Sequence, residues 1–371
     1  MTTDFGWRWL DRLACRSAVR HTTATYEAQL EARPAGSTGA AVLLVSSWVL
    51  YIIIAALFLL GAWLCSLSFP GLGLLPGLII IGVAVELRPR FGRVPKYATA
   101  VTTAEAPALH ALVAQVAAAV GAQAPAIYVE EDVFNASADT YGLRRRQTLV
   151  LGLPLWNALS GQQRVALLGH EMGHFVNGDP RRSLVVQPAF TALHRLSDLL
   201  RPAGNHGFWA RLILRVVTGT LRAILVPPRL GLQILAFRDG QRAEYRADRL
   251  AATVAGRTAT VELFDLLTVR DSLAMLVKRD ARNGRPVAEW PATIAALLAE
   301  IPPQLAARRE AEVRDQLSLF ASHPPNGLRA QLIQAQDNES AAVVLDAATN
   351  ARIDHELAKH SARSARTLKS L

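Results

Sequence analysis

His170 and His174 stand four residues apart in "ALLGHEMGHFVNGD" (Ala166 to Asp179), with Glu171 directly after the first. A helix advances about 100° per residue, so positions i and i+4 share a face, one turn apart. Two imidazoles on one face can hold a single metal ion between them. Glu171, rotated by one step, reaches a water on that ion without ligating it. This is the division of labour in H-E-x-x-H: two imidazoles for zinc, one carboxylate as general base. The plain alternative is a helix with two partly buried structural histidines.

The flanking residues predict that helix. Ser160 and Gln163 make an S-x-x-Q capping box, which satisfies orphan amide donors at a helix start. Val165, Leu168 and Met172 recur at helical spacing. Asn177-Gly178 followed by Pro180 is a stop signal. The expected element runs over 161–176, with both histidines well inside.

A catalytic zinc takes three protein ligands and keeps a fourth position for water. The third is sought on a later helix, in "DGQRAEYRADRLAATVAG" (Asp239 to Gly256), which reads as opening on an N-cap aspartate and closing on glycine. Glu244 and Asp248 lie on one face of it at i, i+4. One reading makes Glu244 a zinc ligand and Asp248 the acceptor for the free nitrogen of a ligating imidazole, a contact that fixes tautomer and ring orientation. The other reading is a solvated, salt-bridged helix face among arginines.

Composition narrows the class. Apolar residues make up 51% of the 371 residues and the mean hydropathy is +0.21, high for a soluble protein of this size. Two distant cysteines, Cys15 and Cys65, exclude a disulfide framework or a cysteine-built metal site. The formal charge is +10, carried almost wholly by arginine. No aromatic-basic interleaving typical of nucleic-acid binders accompanies it, so no nucleic-acid partner is expected.

Ala40 to Leu64, "AAVLLVSSWVLYIIIAALFLLGAWL", is an uncharged run long enough to span a bilayer. A second run, about 69–85, is shorter and contains Pro70 and Pro76. Arg8, Arg12, Arg16 and Arg20 precede the first, and Arg88, Arg90, Arg93 and Lys96 follow the second. The positive-inside rule then predicts a helical hairpin in the cytoplasmic membrane, with both flanks and everything downstream facing the cytoplasm. A long charged segment before the first run argues against a signal peptide. The segment "DFGWRWLDRLACRSAVR" near the start reads equally as a membrane-surface helix or a simple exposed one.

Taken together, these motifs resemble the HtpX and CAAX-prenyl-endopeptidase family of zinc metallopeptidases. Its signature is H-E-x-x-H followed at a distance by E-x-x-x-D, matched here by "HEMGH" (His170 to His174) and "EYRAD" (Glu244 to Asp248). "YVEEDVFNASA", "LVLGLPLWNALSGQQRVALLGHEMGHF" and "SHPPNGLRAQLIQ" (Ser322 to Gln334) agree with further stretches of the family, in the same order. The resemblance covers roughly 97–334, most weakly across 185–239. It implies that His170, His174 and Glu244 bind one zinc per chain, that Glu171 is the base and that Asp248 supports a ligand. His323 and Arg329, from the closing H-P…R stretch, are implied near the active site, as candidate donors to the oxyanion of the tetrahedral intermediate. A loop histidine before two prolines is the plain reading of His323. Asn135 and Ala136, just after a strand, are implied on the edge that holds an extended peptide.

The expected fold class is α+β: a mostly helical zincin-like domain with a small sheet over 97–336. It follows a basic N-terminal segment (1–39) and a transmembrane hairpin (40–87) and precedes a C-terminal helical tail (337–371). "AIYVEE" (Ala126 to Glu131) and "QTLVLGL" (Gln147 to Leu153) read as strands, and "LRRR" (Leu143 to Arg146) as a solvated hairpin tip. The expected partners are a protein or peptide substrate and membrane lipid, with a role in membrane-protein quality control or regulatory proteolysis. Two rivals are a catalytically idle membrane scaffold of the same fold and a protease dedicated to one regulator. Between the two metal helices, "FWARLILRVVTGTLRAILV" (Phe208 to Val226) gathers Arg211, Arg215 and Arg222 within a narrow arc. That pattern predicts either an in-plane membrane helix or an amphipathic helix packed on the core.

Overall fold

The computed structural model describes residues 22–27, 38–67, 71, 74–91, 94–141, 146–200, 208–299, 302–315, 323–337 and 340–370. After a helical stretch over 22–27, the helices α1 (Thr38–Leu67) and α2 (Leu74–Leu87) follow in chain order. Strand β1 (Thr99–Val101), helix α3 (Pro107–Val120) and strands β2 (Ala126–Glu130), β3 (Ala136–Tyr141) and β4 (Arg146–Gly152) follow. Then come α4 (Leu153–Trp156), α5 (Gly161–Asn177), α6 (Asp179–Leu199), α7 (Phe208–Ala255), α8 (Arg257–Thr268) and α9 (Arg270–Arg282). The last are α10 (Trp290–Ala299), α11 (Pro302–Asp315), α12 (Asn326–Gln334) and α13 (Ala347–Ser370). Helix dominates over one small sheet, as the α+β class expected from sequence requires. The chain divides into two units: Met1–Ala35, Arg93–Pro180 and Gly240–Leu371 form one, Gly36–Gly92 and Arg181–Asp239 the other. Residues 181–239, expected inside the peptidase domain, therefore group with the apolar helices.

In the first unit the four strands order as β1-β2-β4-β3. The central strands β2 and β4 run parallel, pairing Ile127 with Leu149 and Val129 with Leu151, and the outer two are antiparallel to their neighbours. These central strands are the two read from sequence. In β4, Thr148 to Gly152 is buried without interruption, the pattern of a strand covered on both faces. Strand β3 is an edge strand. Of the expected hairpin tip, residues 143–145 lie outside the described residues.

Leu109, Leu112, Val113 and Val116 put one apolar stripe of α3 into the core. The segment expected as a C-terminal tail is built into the same core: Ile353 and Leu357 of α13 are buried in it. The Glu356 carboxylate accepts from the backbone N–H of Ala108 (2.9 Å) and Leu109 (3.1 Å). It thereby caps α3, whose own N-cap residue, Ala106, offers no side-chain acceptor.

In the second unit Ile54, Ala84, Leu87 and Ala192 form the buried apolar cluster. Val45, Trp48, Ile52, Leu59 and Trp63 of α1 are each more than half exposed. Among the described residues two helices are long and apolar enough to cross a membrane, Gly39–Leu67 and Val216–Ala255. The second arm of the expected hairpin is helical over 14 described residues, a rise of about 21 Å against a hydrocarbon core of about 30 Å.

Helix α7 departs from the sequence reading. Asp239 does not cap it: the helix starts at Phe208 and continues through Pro227 and Pro228 to Ala255. The stretch expected as a separate helix over 208–226 is thus its first part. Two adjacent prolines suggest a break, but each forfeits only local backbone bonding, which neighbouring helices can offset. The expected stop at Gly256 holds, with φ at 87°. The N-terminal segment read as a surface helix lies outside the described residues up to position 21.

Candidate metal centre

The predicted capping box is present at the start of α5. Ser160 Oγ accepts from the Gln163 N–H (3.4 Å) and Gln163 Oε1 from the Ser160 N–H (3.0 Å). Gly178, at φ 72°, ends the helix where the stop signal predicts. His170 and Glu171 are both buried. Within the same unit α5 lies against the last four turns of α7, at unusually short range. A Cβ on Gly169 would fall 3.0 Å from the Ala251 Cα, and one on Gly173 2.8 Å from the Ala247 Cα. Gly169 and Gly173 directly precede His170 and His174, while Ala247 and Ala251 each lie three residues beyond Glu244 and Asp248. The close crossing therefore sets two imidazoles against two carboxylates.

Three side chains converge there. The Nε2 atoms of His170 and His174 are 3.2 Å apart. Glu244 faces each ring with one oxygen, Oε2 at 3.5 Å from His170 Nε2 and Oε1 at 3.5 Å from His174 Nε2. Ligands about 2.0–2.1 Å from a tetrahedral metal are about 3.3 Å from one another. The separations observed match such a set, and the donor types suit zinc.

The far nitrogen of each ring is held. His170 Nδ1 lies 2.9 Å from Asp248 Oδ1, and His174 Nδ1 lies 3.1 Å from Asp179 Oδ2. Asp248, wholly buried, is gripped by the Arg329 guanidinium through Nη2–Oδ1 (2.6 Å) and Nε–Oδ2 (2.9 Å). Arg329 also stacks on the Phe264 ring, 4.2 Å from its centroid. Its remaining Nη1 donates to Asn326 Oδ1 (3.1 Å). Glu312 closes this chain, accepting from Asn326 Nδ2 (2.8 Å) and the Gly327 N–H (2.9 Å). It caps α12, which has no cap of its own. The hydrogen-bond path thus runs from α11 through α12 to the imidazole of His170.

His323 is half-exposed, and its Nδ1 sits 2.6 Å from Glu244 Oε2. His170, Glu244 and His323 are near enough to form an alternative metal-holding trio. A separation of 2.6 Å is that of a hydrogen bond and too short for two ligands of one tetrahedral ion, so His174 completes the better set.

Charge follows the geometry. Burial alone would raise the Glu244 carboxyl, but His323, His174 and His170 hold it far below the usual carboxylate range. Asp248 is likewise lowered against its burial, chiefly by Arg329. Burial disfavours a charged His174, yet the Asp179 hydrogen bond and the charges of Glu244 and Glu171 outweigh it and raise the ring to about 9.

A cleft of about 460 Å3 opens beside these groups, lined by Glu171 and His323, and by Asn135 and Ala136 at the head of β3. Leu155, Leu167 and Phe264 supply an apolar part of the wall. Asn135 reaches this position because β4 ends on glycine: a Cβ on Gly152 would lie 1.9 Å from the Val133 carbonyl oxygen. The Gly152 N–H then donates to the Asn135 carbonyl at 2.8 Å.

All nine residues expected from sequence are thus in one region of the first unit. Sequence reasoning missed Asp179, Asn326 and Glu312, and it missed the role of Gly169 and Gly173. Asp179 stood in the "NGD" stop signal, where it read as punctuation. No local pattern marks Glu312, which acts through space on another helix.

Such a centre, on a mostly helical domain with a small sheet, belongs with metal-dependent peptidases. A family model, peptidase family M48, matches residues 103–337, more than half of the chain. The chain belongs to peptidase family M48 and is a metallopeptidase. The sequence resemblance to the HtpX and CAAX type agrees with this. No solved structure matches the chain significantly.

Proposed function

We propose that this metallopeptidase is a membrane-anchored zinc endopeptidase with its catalytic unit in the cytoplasm. The observation that carries the reading is the trio His170, His174 and Glu244, with edges of 3.2, 3.5 and 3.5 Å, beside a buried glutamate at a cleft. A bound zinc supplies Lewis acidity toward the scissile carbonyl and lowers the pKa of water. Glu171 takes a proton from the attacking water as its oxygen bonds the carbonyl carbon. It delivers that proton to the amide nitrogen as the C–N bond breaks, releasing a carboxylic acid and an amine. His323, at the mouth of the site, donates to the carbonyl oxygen as it becomes anionic. Arg329 we read as a positioning residue rather than an oxyanion donor: its guanidinium holds Asp248 and Asn326 and lies against the His170 ring itself, Nη2 to Nδ1 at 3.2 Å.

Substrate enters extended along the free edge of β3, with Asn135 and Ala136 beside the scissile bond and backbone hydrogen bonds supplying affinity without strong side-chain selection. This suits a protease of quality control or of a regulatory step. Membrane attachment is supported by the long, exposed, apolar α1 and by the basic residues on both flanks of the apolar region.

Glu171→Gln tests the chemistry. An amide cannot accept the water's proton, so the variant keeps its metal, loses hydrolysis of casein in detergent and accumulates bound substrate. Full activity in that variant sinks the mechanism. Loss of metal together with activity leaves Glu171 a ligand and sinks the role assigned to it.

A further inference from the structure

The second unit contains an apolar groove that peptide hydrolysis does not use. It measures about 190 Å3 and lies between α1, α6 and the first part of α7. Leu43 and Leu50 of α1, Leu193 of α6 and Leu225 and Leu232 of α7 line it, together with Arg229. Ser47 also lines it, but its hydroxyl donates to the Leu43 carbonyl at 2.8 Å, which leaves that wall apolar.

Ser46 also enters the lining, and Arg229 is its charged member. Nη1 donates to Ser197 Oγ (3.1 Å) and Nη2 to His194 Nδ1 (3.2 Å). The other nitrogen of that ring faces Asp198, Nε2 to Oδ2 at 3.6 Å, so the nearest carboxylate stands one ring away from Arg229. Among the described residues no carboxylate pairs with this guanidinium. A half-buried cation with no carboxylate directly on it is incompletely compensated, and a phosphate anion offers the missing charge. The groove beside it favours hydrocarbon and is too small for a whole lipid or a folded segment. One class of molecule presents both chemistries, a phosphate anion joined to an alkyl chain.

We propose that this groove binds one anionic phospholipid, with its phosphate on Arg229 and part of one acyl chain along the leucine wall. The proposal rests on the reading of this unit as membrane-embedded.

The test uses the full chain, purified in a neutral detergent and analysed by native mass spectrometry with phosphatidylglycerol, phosphatidylcholine or soluble glycerol 3-phosphate. The wild type retains one phosphatidylglycerol in preference to phosphatidylcholine, and glycerol 3-phosphate does not compete. Arg229→Gln lowers phosphatidylglycerol retention on the order of tenfold, as losing one charge-assisted hydrogen bond should. Arg229→Lys keeps most of it, which separates loss of the site from loss of the fold. Equal retention of both lipids by the wild type, undiminished retention by Arg229→Gln, or competition by glycerol 3-phosphate each overturns the proposal. Alkaline extraction of membranes is read in parallel. A chain that stays in the pellet without lipid preference removes this site alone, whereas release into the supernatant removes the membrane reading itself.

Discussion

A β-carbon on Gly173 would lie 2.8 Å from the Cα of Ala247. Helices α5 and α7 therefore approach as closely as their backbones allow, and this approach lets Glu244 face both imidazoles. Gly173→Ala should push the helices apart by a few tenths of an ångström or more and cost about 1–3 kcal/mol, the range for overpacking. Metal affinity should fall further than stability, because tetrahedral ligation tolerates distance errors of about 0.2 Å. Gly240→Ala is the control, since nothing lies within 4 Å of its new Cβ, and replacing a mid-helix glycine should stabilise by up to about 1 kcal/mol. Chelator competition and thermal melting on both variants check this; equal metal affinity in the two contradicts it.

Asp248→Asn should weaken metal binding about 10- to 100-fold, the usual effect of removing the partner of a ligating histidine. Asn keeps an acceptor for His170 but takes from the buried Arg329 its nearest counter-charge, leaving only Glu244 at 3.7 Å. The thermal midpoint should fall as well. Unchanged affinity in a folded Asp248→Asn protein would show that His170 needs no orientation from that side.

Glu312→Gln tests the outer end of the same path. The amide keeps one acceptor but cannot hold Asn326 and Gly327 as the carboxylate does. Metal affinity should drop severalfold in an otherwise intact Arg329 background. Combined with Asp248→Asn, the second change should add little, because residues on one path couple. Fully additive losses in affinity would place Glu312 outside the path.

Metal binding should depend on pH in a direction set by His174. Its ring titrates near 9 in the metal-free chain and must be neutral to ligate. Between about pH 6 and 9 the metal displaces a proton, so affinity should rise close to tenfold per pH unit and flatten above. In the metal-free protein the sign is reversed for stability. A folded pKa raised above the ordinary 6.5 contributes stability that is fully present below 6.5 and is lost as pH rises through about 9. Asp179→Asn keeps an acceptor for the ring but removes the carboxylate charge that helps raise it, so its affinity should flatten at a lower pH. Zinc affinities measured at pH 6.5, 7.5 and 8.5 decide; a flat profile in the wild type rules this out.

Much of this was legible in the sequence, for identifiable reasons. His170 and His174 follow a spacing rule, because a helix converts i, i+4 into one face whatever surrounds it; the same rule puts Glu244 and Asp248 on one face, but their roles came from the family resemblance. The capping box and Gly178 are equally local. Strand β4 stood out because a strand covered on both faces is continuously apolar, and β2 because Ile127 and Val129 alternate toward one face. The start of α7 was not legible: Asp239-Gly240 looks like a helix start, and only the packed context carries the helix through it and through Pro227 and Pro228. Glu356 and Glu312 were illegible for another reason. Each caps a helix more than ten residues away in sequence, and no spacing rule reports a contact made through space. Arg329 was found as a site residue, but its partner was not, so its expected role differed from the one its geometry supports.

Whether Glu244 ligates the metal is decided by the bound zinc per chain in purified Glu244→Ala, measured by elemental mass spectrometry beside the wild type. Glu244 is the one donor that both candidate metal-holding trios need besides His170, and it comes from a different helix than the H-E-x-x-H pair. The wild-type chain should carry one zinc and the variant none, with the variant still folded by circular dichroism. Full zinc occupancy in folded Glu244→Ala would contradict that role.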